Sequence, residues 1–389
     1  MSGQYRRRWL QALGAAGARM AGVGGSGLLG TTSLLLTHPA QAINPYPAVL
    51  AGRPVRFPTD FGAHPEYRTE WWYLTAWLDT AAGPLGAQVT FFRSRTPYGR
   101  ENPSRFAPRQ LLFGHAAIGS PAKGSLAHAE QAWREDPQLA YAGIGDTDVR
   151  LGPDRRLWTI RRTTQDVYEV RIKDPAFELN FKAQPSGPPA LQGQAGFSLK
   201  GIKPEQASYY YSRPHLQLNG QLKMRDINAD AQLEFEGRGW LDHEWSSELL
   251  DPAAQGWDWI GINLFDGSAL MAFQMRRAAG QPLRETGKRI QANSSGQDVA
   301  VTFTALRRWT SVRTGIEYPV AFRVQAGELD LELVPLMDDQ ELDSRGSTGA
   351  VYWEGAVTAY DYSERKNPDR QPLGRGFLEM TGYGEKIQF

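Results

Sequence analysis

The run Trp240-Leu241-Asp242-His243-Glu244-Trp245 sets two carboxyls and one imidazole between indoles. Apolar walls raise a carboxyl pKa while histidine titrates near neutrality, so such a set can hold an acid and a base in different protonation states at one pH. The chemistry this suits is protonation of a substrate and activation of water, which makes Asp242, His243 and Glu244 the candidate catalytic groups. Strand alternation imposes a condition. In a regular strand Trp240, Asp242 and Glu244 face one side and Leu241, His243 and Trp245 the other, so all three polar groups reach one ligand only across a bulge or at a strand end. The competing reading is a polar network between domains, with Asp242 or Glu244 paired to Arg238 or Arg213.

Other residues join this set as candidate ligand contacts. Glu70 stands directly before Trp71-Trp72-Tyr73, and Tyr210, Tyr211 and Arg213 offer phenols and a guanidinium. His115 lies within the apolar run Leu112–Ile118, where an ionisable group is costly unless a partner or a pocket faces it. Trp72, Trp240 and Trp245 would supply aromatic walls. For each of these, pocket lining and barrel packing are both open. No metal or other cofactor is expected: His64, His115, Asp242, His243 and Glu244 are of ligand type but lack His-x-His or His-Glu-x-x-His spacing. Gly-x-Ser-x-Gly, Walker and dinucleotide glycine motifs are missing too, which argues against ordinary serine hydrolases, NTPases and Rossmann enzymes.

The elements that must position these groups read as strands. The chain has 41 Gly and 25 Pro punctuating short aromatic-rich runs of alternating polarity, and the fold class expected is all-β. Glu70–Asp79 and Ala87–Arg93 form one expected hairpin; Trp257–Phe265, a turn at Asp266-Gly267, and Ala269–Arg276 form another of the same order. Tyr209-Tyr210-Tyr211-Ser212-Arg213-Pro214 precedes Gly237-Arg238-Gly239-Trp240-Leu241-Asp242, just as Tyr352-Trp353-Glu354-Gly355 precedes Gly374-Arg375-Gly376-Phe377-Leu378-Glu379. The shared order implies a duplication, with one domain over residues 43–247, a second over 248–389, and Asp251-Pro252 in the linker. After Glu379 the second copy diverges, so the imidazole and second carboxylate of the motif stand in the first copy alone. The one helical signal is Ala127–Arg134. Closing each copy into an antiparallel barrel removes exposed edges and creates an interior able to hold one small apolar ligand.

At 389 residues, two cores are expected rather than one. Lys+Arg 43 against Asp+Glu 42 leaves no basic face, so no nucleic-acid partner is expected. The absence of cysteine rules out disulfides, thiolate metal sites and a cysteine nucleophile. Arg6-Arg7-Arg8-Trp9-Leu10, a Gly/Ala-rich weakly apolar stretch and Ala40-Gln41-Ala42 form a twin-arginine-type signal over residues 1–42. It predicts export to the periplasm or beyond. That stretch, with Arg19 and its glycines, is too polar to anchor in a bilayer.

Glu70-Trp71-Trp72-Tyr73, Gly114-His115, Tyr210-Tyr211-Ser212-Arg213-Pro214, Trp240-Leu241-Asp242-His243-Glu244-Trp245 and Tyr352-Trp353-Glu354-Gly355 together resemble the AttH-like, lipocalin-fold family that also contains carotenoid 1,2-hydratases. The likeness is nearer to its exported, predicted secreted hydrolase branch. The resemblance implies two lipocalin-like barrels in tandem and a hydrophobic, isoprenoid- or lipid-like ligand. In the hydratase branch it implies addition of water to a terminal double bond without a redox cofactor. Fungal relatives with this fold are associated with hydration and with cycloaddition, so the scaffold does not by itself name the reaction. On the hydratase reading Asp242 is the acid, His243 and Glu244 manage water, and Trp72, Tyr211, Trp240 and Trp245 form the cage. The alternative is a non-catalytic ligand carrier working with an ABC transporter, as the AttH name suggests.

Overall fold

Two antiparallel sheets follow one another along the chain, and each is built from the aromatic strands named above. The computed structural model describes residues 46–97, 102–104, 107–225, 232–278, 280–292 and 296–386; the export signal lies outside the described residues. The first sheet has 13 strands within Thr69–Glu248. At its centre lie Gly83–Arg95, Thr69–Thr80, Gln232–Glu248 and Ala207–Met224, in that order. The second has 10 strands within Gly256–Met380, and its centre reads Ala269–Arg276, Gly256–Leu264, Pro372–Met380 and Ala350–Asp361. Corresponding strands occupy corresponding places, so the duplication seen in the motifs is a duplication of topology. Residues 249–255 carry the chain from one sheet to the other, and Tyr46–Phe389 forms a single compact unit.

Each sheet curls until its ends approach. In the first, the strand Gln110–Ser120 meets the far end of the sheet at Gly114, where a Cβ would lie 2.6 Å from Leu151 Cδ1 and 2.9 Å from the Trp158 ring. Only glycine permits that approach, which nearly closes the barrel. The inward positions Trp72, Leu74, Ala76 and Leu78 pack with Phe91, Leu112, Trp158, Tyr168 and Leu241 into one apolar cluster. A separate cluster around Ile260, Ile262, Leu333, Trp353 and Leu378 fills the second barrel. The outward positions of the same strands, Tyr73, Trp77, Tyr210, Trp240, Trp259, Phe273 and Phe377, form a third cluster between the barrels. Period-2 alternation thus gives every central strand two buried faces.

One expected element is wrong. Ala127–Arg134 is part of the strand Ser125–Arg134, paired with Gln110–Ser120 through Leu112↔Trp133 and Ala117↔His128. Ala129 and Gln131 alternate inward along it, and the sheet edge supplies hydrogen bonds that outweigh a weak helical composition.

Candidate functional site

The strand Gln232–Glu248 runs in unbroken register with Thr69–Thr80 across the motif, pairing Tyr73↔Asp242 and Trp72↔His243. No bulge interrupts it there, so Asp242 and Glu244 project toward the second barrel while His243 projects into the first. The three candidate catalytic groups are therefore divided between two sites, back to back across one strand.

On the face between the barrels, Asp242 is 3% exposed and accepts three hydrogen bonds: from Tyr210 Oη at 2.6 Å, Ser212 Oγ at 2.5 Å and Trp240 Nε1 at 2.6 Å. These donors favour the carboxylate, yet burial outweighs them and pushes the Asp242 pKa up to about 7. Trp259 Nε1, from the second barrel, donates to Tyr210 Oη at 3.2 Å. Glu244 forms an ion pair with Lys200 at 2.9 Å, and the Lys200 ammonium lies 4.5 Å from the ring centroids of both Tyr210 and Phe273.

The second barrel brings its own carboxylates to this face. Glu354 and Glu379 are directly paired across neighbouring strands, in the places held by Ser212 and Asp242 in the first copy. Burial pushes Glu379 up to about 7, reinforced by the nearby charges of Asp242 and Glu244, and raises Glu354 well above the carboxylate range with Glu379 beside it. Two acids held side by side out of water share protons as a unit. The Tyr73 and Tyr352 hydroxyls face the Glu354 carboxyl. Carboxyl groups thus reach this face from both copies, although the motif's imidazole and second carboxylate stand in the first alone. Glu379 was visible in its motif and Glu354 in another, but pairing them requires the register of strands far apart in sequence.

Inside the first barrel a different constellation surrounds Glu70. Its Oε1 faces His64 Nδ1 at 2.8 Å and His243 Nε2 at 2.9 Å, and Arg93 Nε donates to its Oε2 at 2.8 Å. His64 Nε2 lies 3.2 Å from Asp60 Oδ1, and Tyr211 Oη is 3.0 Å from His243 Nδ1. Trp245 stacks on His64 with ring centroids 3.7 Å apart, and Trp72 on His243 at 4.6 Å. Burial alone would raise the Glu70 pKa, but Arg93 and then His64 hold it well below the usual range. Burial lowers His243; it also opposes the His64 charge, which Glu70 and Asp60 restore and raise. In the second barrel Arg276 stands in the place of Arg93, but its acid, Asp258 at 2.8 Å, stands in the place of Trp72, and Gly256 in that of Glu70.

The remaining candidates lie apart from both. His115 points outward and bridges the barrels, with Nδ1 2.8 Å from Tyr352 Oη and Nε2 2.9 Å from Ser347 Oγ; burial pushes its pKa down to about 3. Arg213 pairs with Asp166 rather than with Asp242 or Glu244, because it alternates inward next to Ser212. Arg238 is exposed, so neither arginine of the expected inter-domain network takes part. An open groove of about 790 Å³ crosses the outside of the first barrel, but Asp79, Glu169, Lys182, Glu234 and Glu236 in its lining suit water better than an apolar ligand.

The family model for AttH-like proteins matches residues 48–383. Among solved structures, an AttH protein from Nitrosomonas europaea is 47% identical with a TM-score of 0.77, covering 87% of this chain and 99% of that one. Kievitone hydratase from Nectria haematococca is 13% identical with a TM-score of 0.62, covering 86% and 95%. CghA in complex with Sch210972 is 10% identical with a TM-score of 0.54, covering 82% and 89%. At these last two identities what is shared is the fold. A comparison with curated proteins finds no match.

Proposed function

The chain belongs to the AttH-like family, and from that premise we propose that it binds a hydrophobic, isoprenoid- or lipid-like molecule between its barrels and adds water to it by acid-base chemistry. The observation that carries this reading is Asp242: a buried carboxyl set among the rings of Tyr210, Trp240 and Trp259, whose pKa burial pushes up to about 7. In the proposed reaction Asp242 gives its proton to one carbon of a double bond. The cation on the neighbouring carbon lies against the aromatic faces, which attract positive charge. Water then bonds to that carbon and loses a proton to Glu379, whose carboxyl is partly ionised near pH 7 while Glu354 keeps its own proton, and Asp242 is recharged from Glu379. A hydrolytic reaction would use the same acid and base.

Of two neighbours sharing the fold, one is named kievitone hydratase and the other is seen in complex with Sch210972; this is consistent with a ligand-binding use of the fold and does not name the reaction. We further propose that the twin-arginine-type signal of residues 1–42 exports the protein to the periplasm. N-terminal sequencing of the periplasmic form is expected to find chain beginning at Ile43.

Native mass spectrometry of the untagged exported protein is expected to find a co-purifying lipid. With farnesol as probe, water labelled with heavy oxygen should enter the product in the wild type and not in Asp242→Asn, which should still quench tryptophan fluorescence on binding. Undiminished turnover by Asp242→Asn would remove the reading. Binding without turnover in the wild type would favour a carrier over an enzyme.

A further inference from the structure

We propose that His64, Glu70 and His243 form a binding site for a divalent transition ion of the zinc class, buried within the first barrel. The three side chains are buried, and one ligand atom from each lies within 4.8 Å of the others. Two imidazoles and one carboxylate, with a position left for water, suit zinc or a neighbouring first-row ion and not calcium or magnesium, which prefer oxygen.

The support comes from what lies behind each ligand. The far nitrogen of His64 faces Asp60, the far nitrogen of His243 faces Tyr211, and the far oxygen of Glu70 is held by Arg93. Such outer partners orient metal ligands and set the tautomer of each ring. The rings are also fixed by stacking on Trp245 and Trp72, so little order remains to be imposed on binding. Both rings are already aimed at one atom, Glu70 Oε1, and the His64 backbone N–H lies 3.1 Å from the same oxygen. An ion at about 2.1 Å from each ring nitrogen would take the place Oε1 now holds, so the Glu70 carboxylate would draw back along its side chain to ligate it.

The protons balance. His64, whose two ring nitrogens face two carboxylates, carries a proton on each. The ion replaces the one on Nδ1, which leaves to solvent, and Nε2–H still donates to Asp60. His243 moves its proton from Nε2 to Nδ1 and donates to Tyr211. The ligands come from Thr69–Thr80, from Gln232–Glu248 and from the segment that precedes the first strand. The ion would therefore pin that segment to the barrel wall directly behind Asp242. The site stands independently of the acid-base reading.

The test is Co²⁺ titration of untagged protein after dialysis against chelator, followed by visible absorption and metal analysis. One equivalent with ligand-field bands is expected. His64→Gln and His243→Gln should each weaken binding at least tenfold, Asp60→Asn by about tenfold or more, and His115→Gln should leave it unchanged. Failure of the wild type to take up Co²⁺ or Zn²⁺ overturns the proposal, and needs no variant to fold. Equal uptake by wild type and both histidine variants overturns it as well.

Discussion

Asp242 and His243 are consecutive residues whose side chains leave opposite faces of one strand. Asp242 bonds Tyr210 between the barrels, and His243 lies 2.9 Å from Glu70 inside the first. Their substitutions should therefore fail differently. Asp242→Asn should abolish turnover of a bound probe while leaving urea unfolding nearly intact. His243→Gln should lower stability by about 1–3 kcal/mol, the cost of a disrupted buried hydrogen bond, while keeping ligand binding. Matched urea titrations and tryptophan quenching check both.

A pH dependence follows from the same face. Asp242 and Glu379 hold their protons in the fold up to about pH 7, whereas in the unfolded chain they release them in the ordinary carboxyl range. Between those limits the folded state binds more protons. The stability these groups contribute is full below the unfolded pKa and is lost as pH rises through about 7. Melting temperature measured from about pH 5 to about pH 8 should fall, and Asp242→Asn should shrink that fall. An unchanged slope would mean that Asp242 is ionised throughout.

Glu70 neutralises Arg93 and His64 in a place without water. Glu70→Gln strands those charges and should cost about 3–5 kcal/mol of unfolding free energy. Asp258→Asn should do the same in the second barrel, since Arg276 Nε is 2.8 Å from Asp258. Chemical denaturation of the two variants measures both losses, and comparing them asks whether the buried acid–guanidinium pairs of the two barrels have similar energetics.

The barrels touch at small residues. A Cβ on Gly86 would lie 2.9 Å from Ala356 Cβ, and Trp77 Nε1 donates to Gly376 O at 2.9 Å nearby. Gly86→Val should push the barrels apart at a cost of about 1–3 kcal/mol. It should also weaken ligand binding, whereas Trp77→Phe should cost about 1 kcal/mol through the lost hydrogen bond. If Gly86→Val binds a probe as the wild type does, the ligand lies elsewhere.

Much of this protein was legible in the chain alone. Trp71-Trp72-Tyr73 and Trp257-Asp258-Trp259 announce strands because alternation and aromatic content are local properties, and repeated motifs announce two copies because duplication preserves order. Alternation also states correctly that Asp242 and His243 part company. What it cannot state is which neighbour each one meets. That Glu70 gathers His64, Arg93 and His243, that Glu354 stands beside Glu379, and that Arg213 turns to Asp166 depend on the pairing of strands separated by up to 173 positions. Even the strand Ser125–Arg134 owes its form to the edge it pairs with. Local pattern decides which way a side chain points; only closure of the sheets, and the packing of one barrel on the other, decides what waits for it there.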